Sequence, residues 1–206
     1  MKKIQVLLVD DHSVVRMGLA AIINLERDLH VCGEAENGQE AVAQAKALRP
    51  DVIVMDLMMP GMSGAETTQA ALAVSPETKI LVLTTFGTSV EIAAALDAGA
   101  VGAVTKNLSN ADLADAIRKT AAGERVLSPE IAAALKENEA AAQFSPRQME
   151  IIDSITRGLS NQEIATLLGI SRTRVKQHLT EVFEKLGAAN RAEVAALAMR
   201  RNLLKI

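Results

Sequence analysis

The sequence predicts a doubly wound α/β domain on a five-stranded parallel sheet, followed by a small all-α domain. Three observations lead there. The first 120 or so residues alternate apolar bursts with helix-period segments five times over. The best of those bursts are apolar throughout, as parallel strands covered on both faces must be. Near Phe144 the pattern gives way to short helices with strong start signals, one of them densely basic.

The strands are read at Ile4–Asp10, His30–Ala35, Asp51–Asp56, Lys79–Thr85 and Val101–Lys106. Helical patterns fill the intervals at Ser13–Leu25, Gln39–Leu48, Ala65–Ala73, Ser89–Ala98 and Ala111–Ala122. Ser109 with Asp112 forms a capping box for the last of these, and Gly99 ends the one before. Residues 1–122 therefore make one domain. Residues 123–143 are polar and rich in Ala and Glu, with Ser128-Pro129-Glu130 as a helix start, and read as a partly helical linker without a core of its own.

The second domain occupies residues 144–206. Ser145-Pro146-Arg147-Gln148 combines an N-cap, a Pro at the first helical position and a Gln at the third. Ser160-Asn161-Gln162-Glu163 repeats the capping box, and its helix stops at Gly169. Ser171 starts another helix that ends at Gly187, and a fourth spans roughly Arg191–Leu204. Helices this short must pack on one another, and two joined by a tight Gly-containing turn have helix-turn-helix geometry.

Charge divides the chain at the same place. Gln143–Ile206 carries ten Lys and Arg against six Asp and Glu, a balance of +4, whereas Met1–Ala142 carries twelve against nineteen, a balance of -7. The basic end suits a polyanion and the acidic end a cation or signalling partner. With aromatic residues at 1 % of the chain, the cores rest on Ala, Leu, Ile, Val and Met, and base stacking is a poor binding mode. A single cysteine, Cys32, excludes an internal disulfide or cysteine metal cluster, and its apolar surroundings suggest a small buried hydrophobe. No stretch approaches membrane-spanning length, and Asp10 and Asp11 cut short the apolar run at the start, so a cytoplasmic protein without a membrane partner is expected.

Asp10 and Asp11 close the first strand, Asp56 the third, Thr84 the fourth and Lys106 the fifth. In an open parallel sheet these ends converge on one edge, where ligands bind. Three carboxylates there repel one another unless a cation is present, and Mg²⁺, a hard ion taking carboxylate, carbonyl and water oxygens, is the candidate. Lys106 adds a point charge and Thr84 a hydroxyl, completing a site for a tetrahedral oxyanion carried by one aspartate. Alternation alone leaves Thr84 and Thr85 open as the inward residue, and His12, beside a helix start, reads as surface or cap.

The stretches LLVDD, VIVMDLMMPGMSG, ILVLTT, ALDAGAVGAVTK and DLADAIRKTAAGE resemble the receiver domain of bacterial response regulators over about Ile4–Ala122. The resemblance implies strand order 2-1-3-4-5 and phosphorylation of Asp56 by a sensor histidine kinase in a two-component phosphorelay. It implies Mg²⁺ held by Asp11, Asp56 and the Met58 backbone carbonyl, with Asp10 acting through water, and phosphoryl contacts from Thr84 and Lys106. Many receivers carry an aromatic switch three residues before that lysine. Here the position is Ala103, so the readout is expected through backbone shifts or Phe86.

In the basic domain, Arg172, Arg174, Lys176, Gln177, His178 and Thr180 crowd the first turns of one helix, while Val175, Leu179, Val182, Phe183 and Leu186 recur at core spacing. Such a helix fits the DNA major groove. Phe144–Leu197, through SPRQMEII, GLSNQEIATLLGIS, VKQH and KLGAANRAE, resembles the LuxR-type DNA-binding domain of NarL/FixJ-class regulators. That resemblance implies base reading of double-stranded DNA by Lys176, Gln177 and Thr180 and phosphate contacts from Arg174, His178, Lys185 and Arg191. It implies a homodimer through Val194, Leu197 and Ala198, although a helix closing the small core has the same pattern. Arg174 and Gln148 stand where the family usually has Thr and Glu. Two other functions compete with this reading. A Mg²⁺-dependent phosphohydrolase with Asp56 as nucleophile lacks its second acid, since Met58 holds that place, so no turnover beyond the receiver's own phosphorylation and dephosphorylation is expected. A receiver serving only as a dimerisation scaffold is the other.

Overall fold

The computed structural model describes residues 3–85, 88–200 and 203–204, with the backbone alone over 137–142. Compact contacts divide the chain into Met1–Leu135 and Lys136–Ile206. In the first unit, β1 (Ile4–Val9), β2 (Leu29–Ala35), β3 (Val52–Met55), β4 (Lys79–Thr84) and β5 (Gly102–Thr105) alternate with α1 (Ser13–Leu25), α2 (Gly38–Leu48), α3 (Gly64–Val74), α4 (Ser89–Asp97) and α5 (Asn110–Ala121). All pairings are parallel, in the order β2-β1-β3-β4-β5 with a sixth strand beside β5.

That sixth strand, β6 (Val126–Leu127), corrects the expected count of five. Two residues in a polar stretch carry no periodicity, so the pairing is invisible in sequence. Its enabling feature lies on β5: a Cβ on Gly102 would stand 2.5 Å from the Val126 carbonyl oxygen, so only glycine lets β6 approach. The next helix, α6 (Pro129–Ala142), also belongs partly to the sheet, because Ile131 is buried in its core and Leu135 packs against it.

The strands are apolar on both sides because each side has its own cover. Leu7, Val9, Ile53, Met55, Ile80 and Val82 face α2, α3 and α4, whose contacts are mostly alanines, including Ala41, Ala45, Ala71 and Ala95. Val6, Leu8, Val52, Val54, Leu81 and Leu83 face α1 and α5 through Ile23, Leu113, Ala116 and Ile117. An Arg118 fork clips α5 to the α1–β2 turn, donating from Nε to Asp28 Oδ2 at 2.7 Å and from Nη2 to Asp28 Oδ1 at 2.8 Å and Glu26 Oε2 at 2.6 Å. Those bonds hold the Asp28 carboxyl down at about 2. Cys32 is half-buried rather than buried, and its thiol donates to the Val6 carbonyl at 3.4 Å.

The second unit contains α7 (Pro146–Thr156), α8 (Asn161–Leu168), α9 (Arg172–Leu186) and α10 (Arg191–Arg200). Ser145 with Gln148 and Ser160 with Glu163 form the capping boxes that the sequence predicts. Gly169 and Gly187 end α8 and α9 in left-handed conformations at φ 63° and 69°. The α10 helix is described over Arg191–Arg200, and Leu203 and Leu204 lie outside it, short of the expected end at Leu204. One cluster joins these helices, with Ile151, Ile152, Ile164, Val175, Val182 and Val194 fully buried.

Candidate functional site

Strands β1, β3 and β5 each stop one residue before a side chain of interest, which places Asp10, Asp56 and Lys106 on the first residue past them, and Thr84 is the last residue of β4. Register brings them together. Val9 pairs with Met55, Met55 with Val82, and Thr84 with Thr105, so the strand ends share one sheet edge. Lys106 Nζ donates to Asp10 Oδ2 and to Asp56 Oδ2, both at 2.5 Å. The two carboxylate side chains are each 3 % exposed, and the lysine 13 %. Burial pulls the Lys106 ammonium toward neutrality, but the bonds from Asp10 and Asp56 outweigh it and leave its pKa raised.

The remaining groups complete an oxygen-rich rim. Asp11 is exposed at the mouth, and ligand atoms of Asp10, Asp11, His12 and Asp56 lie within 4.8 Å of one another. Oxygen donors at that spacing fit a hard divalent cation. His12 is surface, as expected. Its Nδ1 lies 2.8 Å from Asp11 Oδ1, and it occupies the cap position of α1 without a side-chain cap bond. Two backbone amides orient the acids: His12 N donates to Asp10 Oδ1 at 2.8 Å and Met58 N to Asp56 Oδ1 at 3.1 Å. Burial resolves the threonine pair in favour of Thr84, which is 2 % exposed, over the exposed Thr85. The Thr84 Oγ1 is buried with no hydrogen-bond partner among the described residues. An unmade bond of that kind costs about 1–3 kcal/mol, so a hydroxyl kept there suits an acceptor that arrives later. A cleft of about 590 Å³ opens beside the rim, lined in part by Asp11, Met58, Met59, Pro60 and Glu91.

Sequence reasoning missed Arg16. Its guanidinium is buried, and it donates to the Asp10 carbonyl at 2.6 Å and to Glu36 Oε1 at 2.8 Å. It thereby fixes the peptide that joins the two adjacent acids. The signal was present: Arg16 shares the inward period of α1 with Leu19, Ala20 and Ile23. Ala103 is fully buried in the core, and Phe86 lies outside the described residues.

In the second unit, α9 turns Val175, Leu179, Val182 and Leu186 inward. Arg174, Lys176, Gln177 and Thr180 are exposed, and among the described residues no hydrogen bond or ion pair engages the side chains of Arg174, Lys176 or Gln177. His178 is half-buried, with Nδ1 3.8 Å from Glu181 Oε2 and lacking a hydrogen bond. Ser171 caps the helix by accepting from the Arg174 amide at 3.2 Å.

Three of the expected groups have partners inside their own domain. Lys185, although exposed, donates to the Gln143 carbonyl at 2.7 Å and to Gln148 Oε1 at 2.9 Å, and it stands 5.7 Å from the Phe144 ring centroid. Arg191 bonds the Leu159 carbonyl and, at 3.2 Å, Asn161 Oδ1, tying α10 to the start of α8. Both side chains bond groups of their own domain in this structure. Val194, Leu197 and Ala198 are no more than 8 % exposed and close the small core, so they do not form a dimer surface. The outward face of α10 consists instead of Ala192, Glu193, Ala196, Met199 and Arg200.

An acid-rimmed parallel α/β domain followed by a capped helix-turn-helix unit defines a two-domain signalling regulator. Residues 6–118 match the response regulator receiver domain family, and residues 142–198 match bacterial regulatory proteins of the luxR family. The chain is 39 % identical to the response regulator protein VraR of Staphylococcus aureus, over 98 % of this chain and 99 % of that one. It is similar to the response regulator ChrA of a heme-sensing two-component system, at TM-score 0.58 and 37 % identity over 99 % of this chain and all (100 %) of that one. It shares its fold with the RcsB response regulator of Salmonella typhimurium, at TM-score 0.67 and 24 % identity over 96 % of this chain and 100 % of that one. This chain belongs to the response regulators of the NarL/FixJ class, with a receiver domain and a LuxR-type DNA-binding domain. Among the described residues, no helix is long and apolar enough to cross a membrane.

Proposed function

We propose that the chain is a cytoplasmic transcription regulator whose DNA binding is controlled by phosphorylation of Asp56 by a sensor histidine kinase. The receiver takes residues 1–122, the segment 123–143 joins the domains, and residues 144–206 bind DNA. The observation that carries this reading is one ammonium shared by two buried carboxylates, Asp10 and Asp56, at a strand-end rim. Asp56 is the phosphoacceptor, because its carboxylate ends the central strand, β3. Asp10, Asp11, Asp56 and the Met58 carbonyl would hold Mg²⁺. When bound there, the ion neutralises charge on the phosphoryl oxygens.

Asp56 attacks the phosphorus of a phosphohistidine in line, so that a P–O bond forms as the P–N bond breaks and the imidazole leaves. Lys106, already held on Asp56 Oδ2, follows the new charge to a phosphoryl oxygen. Thr84 donates its unused hydroxyl to another. Because the Lys106 amide donates to the Thr84 carbonyl at 2.9 Å, the two strand ends move together. That backbone link is a route of readout that does not need an aromatic at Ala103. No turnover beyond self-phosphorylation and dephosphorylation is assigned to the receiver.

In the second domain, Lys176, Gln177 and Thr180 reach base edges, and Arg174 and His178 lie near phosphates. A homodimer would set the spacing of paired half-sites. The two halves separate by mutation. Asp56→Asn is expected to abolish phosphoryl uptake on a Phos-tag gel and leave basal DNA retention. Lys176→Ala is expected to weaken a salt-controlled mobility shift and leave phosphorylation intact. Loss of both activities in each folded variant contradicts the assignment.

A further inference from the structure

Resting on the reading of α9 as the DNA-recognition helix, the geometry points to Gln177 as the residue that selects adenine, with Thr180 selecting a thymine beside it. At about 100° per residue, the side of α9 opposite the buried Val175, Leu179 and Val182 is a ridge of Thr173, Gln177 and Thr180. All three are exposed. Lys176 flanks this ridge on one side, within reach of base edges through its long side chain, and Arg174 flanks it on the other, toward a phosphate wall, while the uncharged residues face the groove floor. The charge also sets how far the helix can enter. Beyond Thr180 the exposed residues Glu181 and Glu184 would meet phosphates with like charge, which confines reading to about the first two and a half turns.

Within those turns the chemistry of each ridge residue is specific. Among the described residues the Gln177 side chain makes no hydrogen bond, so both its amide donor and its carbonyl acceptor are available. A side chain with one donor and one acceptor in a fork matches the N6 donor and N7 acceptor of adenine in the major groove. The Thr180 hydroxyl is turned back, donating to the Lys176 carbonyl at 3.1 Å. With its polar atom occupied, the side chain offers its methyl, the partner for the C5 methyl of thymine.

The test is selection of duplexes from a random pool by the full chain, held with Mg²⁺ and an acyl phosphate donor, for the unsubstituted protein, Gln177→Ala and Gln177→Glu. The unsubstituted chain is expected to fix an adenine at one position of each half-site. Gln177→Ala should lower that preference by roughly 5- to 150-fold, and Gln177→Glu should convert it to cytosine, whose N4 donor a carboxylate accepts. Replacing the neighbouring thymine by uracil should weaken the unsubstituted chain and leave Thr180→Ser unaffected. A base profile unchanged in both Gln177 variants overturns the inference while DNA binding stands. If the unsubstituted chain retains no duplex at any salt, the recognition-helix reading fails as well.

Discussion

Replacing Lys106 with methionine keeps the length of the side chain and removes its charge, so it isolates the electrostatics of the rim. In the native chain one ammonium sits 2.5 Å from both Asp10 Oδ2 and Asp56 Oδ2, and each carboxylate side chain is 3 % exposed. Stripping one partner from a buried charge cluster commonly costs about 3–5 kcal/mol. For a domain of this size that loss lowers the melting temperature by roughly 10–20 °C. A divalent cation can replace the missing ammonium, so Mg²⁺ should raise the melting temperature of the variant more than that of the native chain. Thermal unfolding followed by far-UV circular dichroism, in chelator and in Mg²⁺, reads both effects. A Lys106→Met chain that melts like the native one in chelator, or that Mg²⁺ stabilises no more than the native one, refutes the reasoning.

Two further outcomes follow from single contacts. The Asp28 carboxyl is held at about 2 by the Arg118 fork, below its ordinary 3.8. A depressed carboxyl stabilises the fold above its unfolded value and loses that contribution as pH falls from about 4 through about 2. Arg118→Ala should therefore flatten the acid side of the stability profile in that window, read as urea midpoints, and an unchanged slope contradicts the role of the fork. Thr84→Val removes a buried hydroxyl without a partner among the described residues. Stability should hold or rise by about 1 kcal/mol while phosphoryl uptake falls, and a variant that loses stability instead would mean the hydroxyl already has a structural use.

The parts of the fold with a repeating pattern were legible from sequence. Five apolar strands, their helices and the capped starts at Ser145, Ser160 and Ser171 stand where expected, because burial on two faces and capping both leave local marks. The β6 strand left none, since its two residues depend on the absence of a side chain at Gly102, far away in sequence. At the acid rim, residue types and strand ends sufficed to gather Asp10, Asp11, Asp56, Thr84 and Lys106. Only burial separated Thr84 from Thr85. Arg16 escaped notice because a charged residue on an inward helix face contradicts the usual pattern, although that conflict was itself the clue. The basic domain was harder to read. A lysine or arginine looks the same in sequence whether it awaits a phosphate or, like Lys185 and Arg191, is committed to a carbonyl of its own domain. Likewise, apolar residues at helical spacing fit an interface as well as a core, and Val194, Leu197 and Ala198 belong to the core.

The most direct measurement is the position of the covalent phosphoryl group. The intact chain would be incubated with Mg²⁺ and an acyl phosphate, the acyl-phosphate linkage reduced with borohydride, and the peptides mapped by mass spectrometry. The account predicts a single reduced residue, at position 56, that disappears when the ion is chelated. Label at Asp10, Asp11 or any serine or threonine in place of Asp56, or no label under conditions where the native chain is folded, would contradict it.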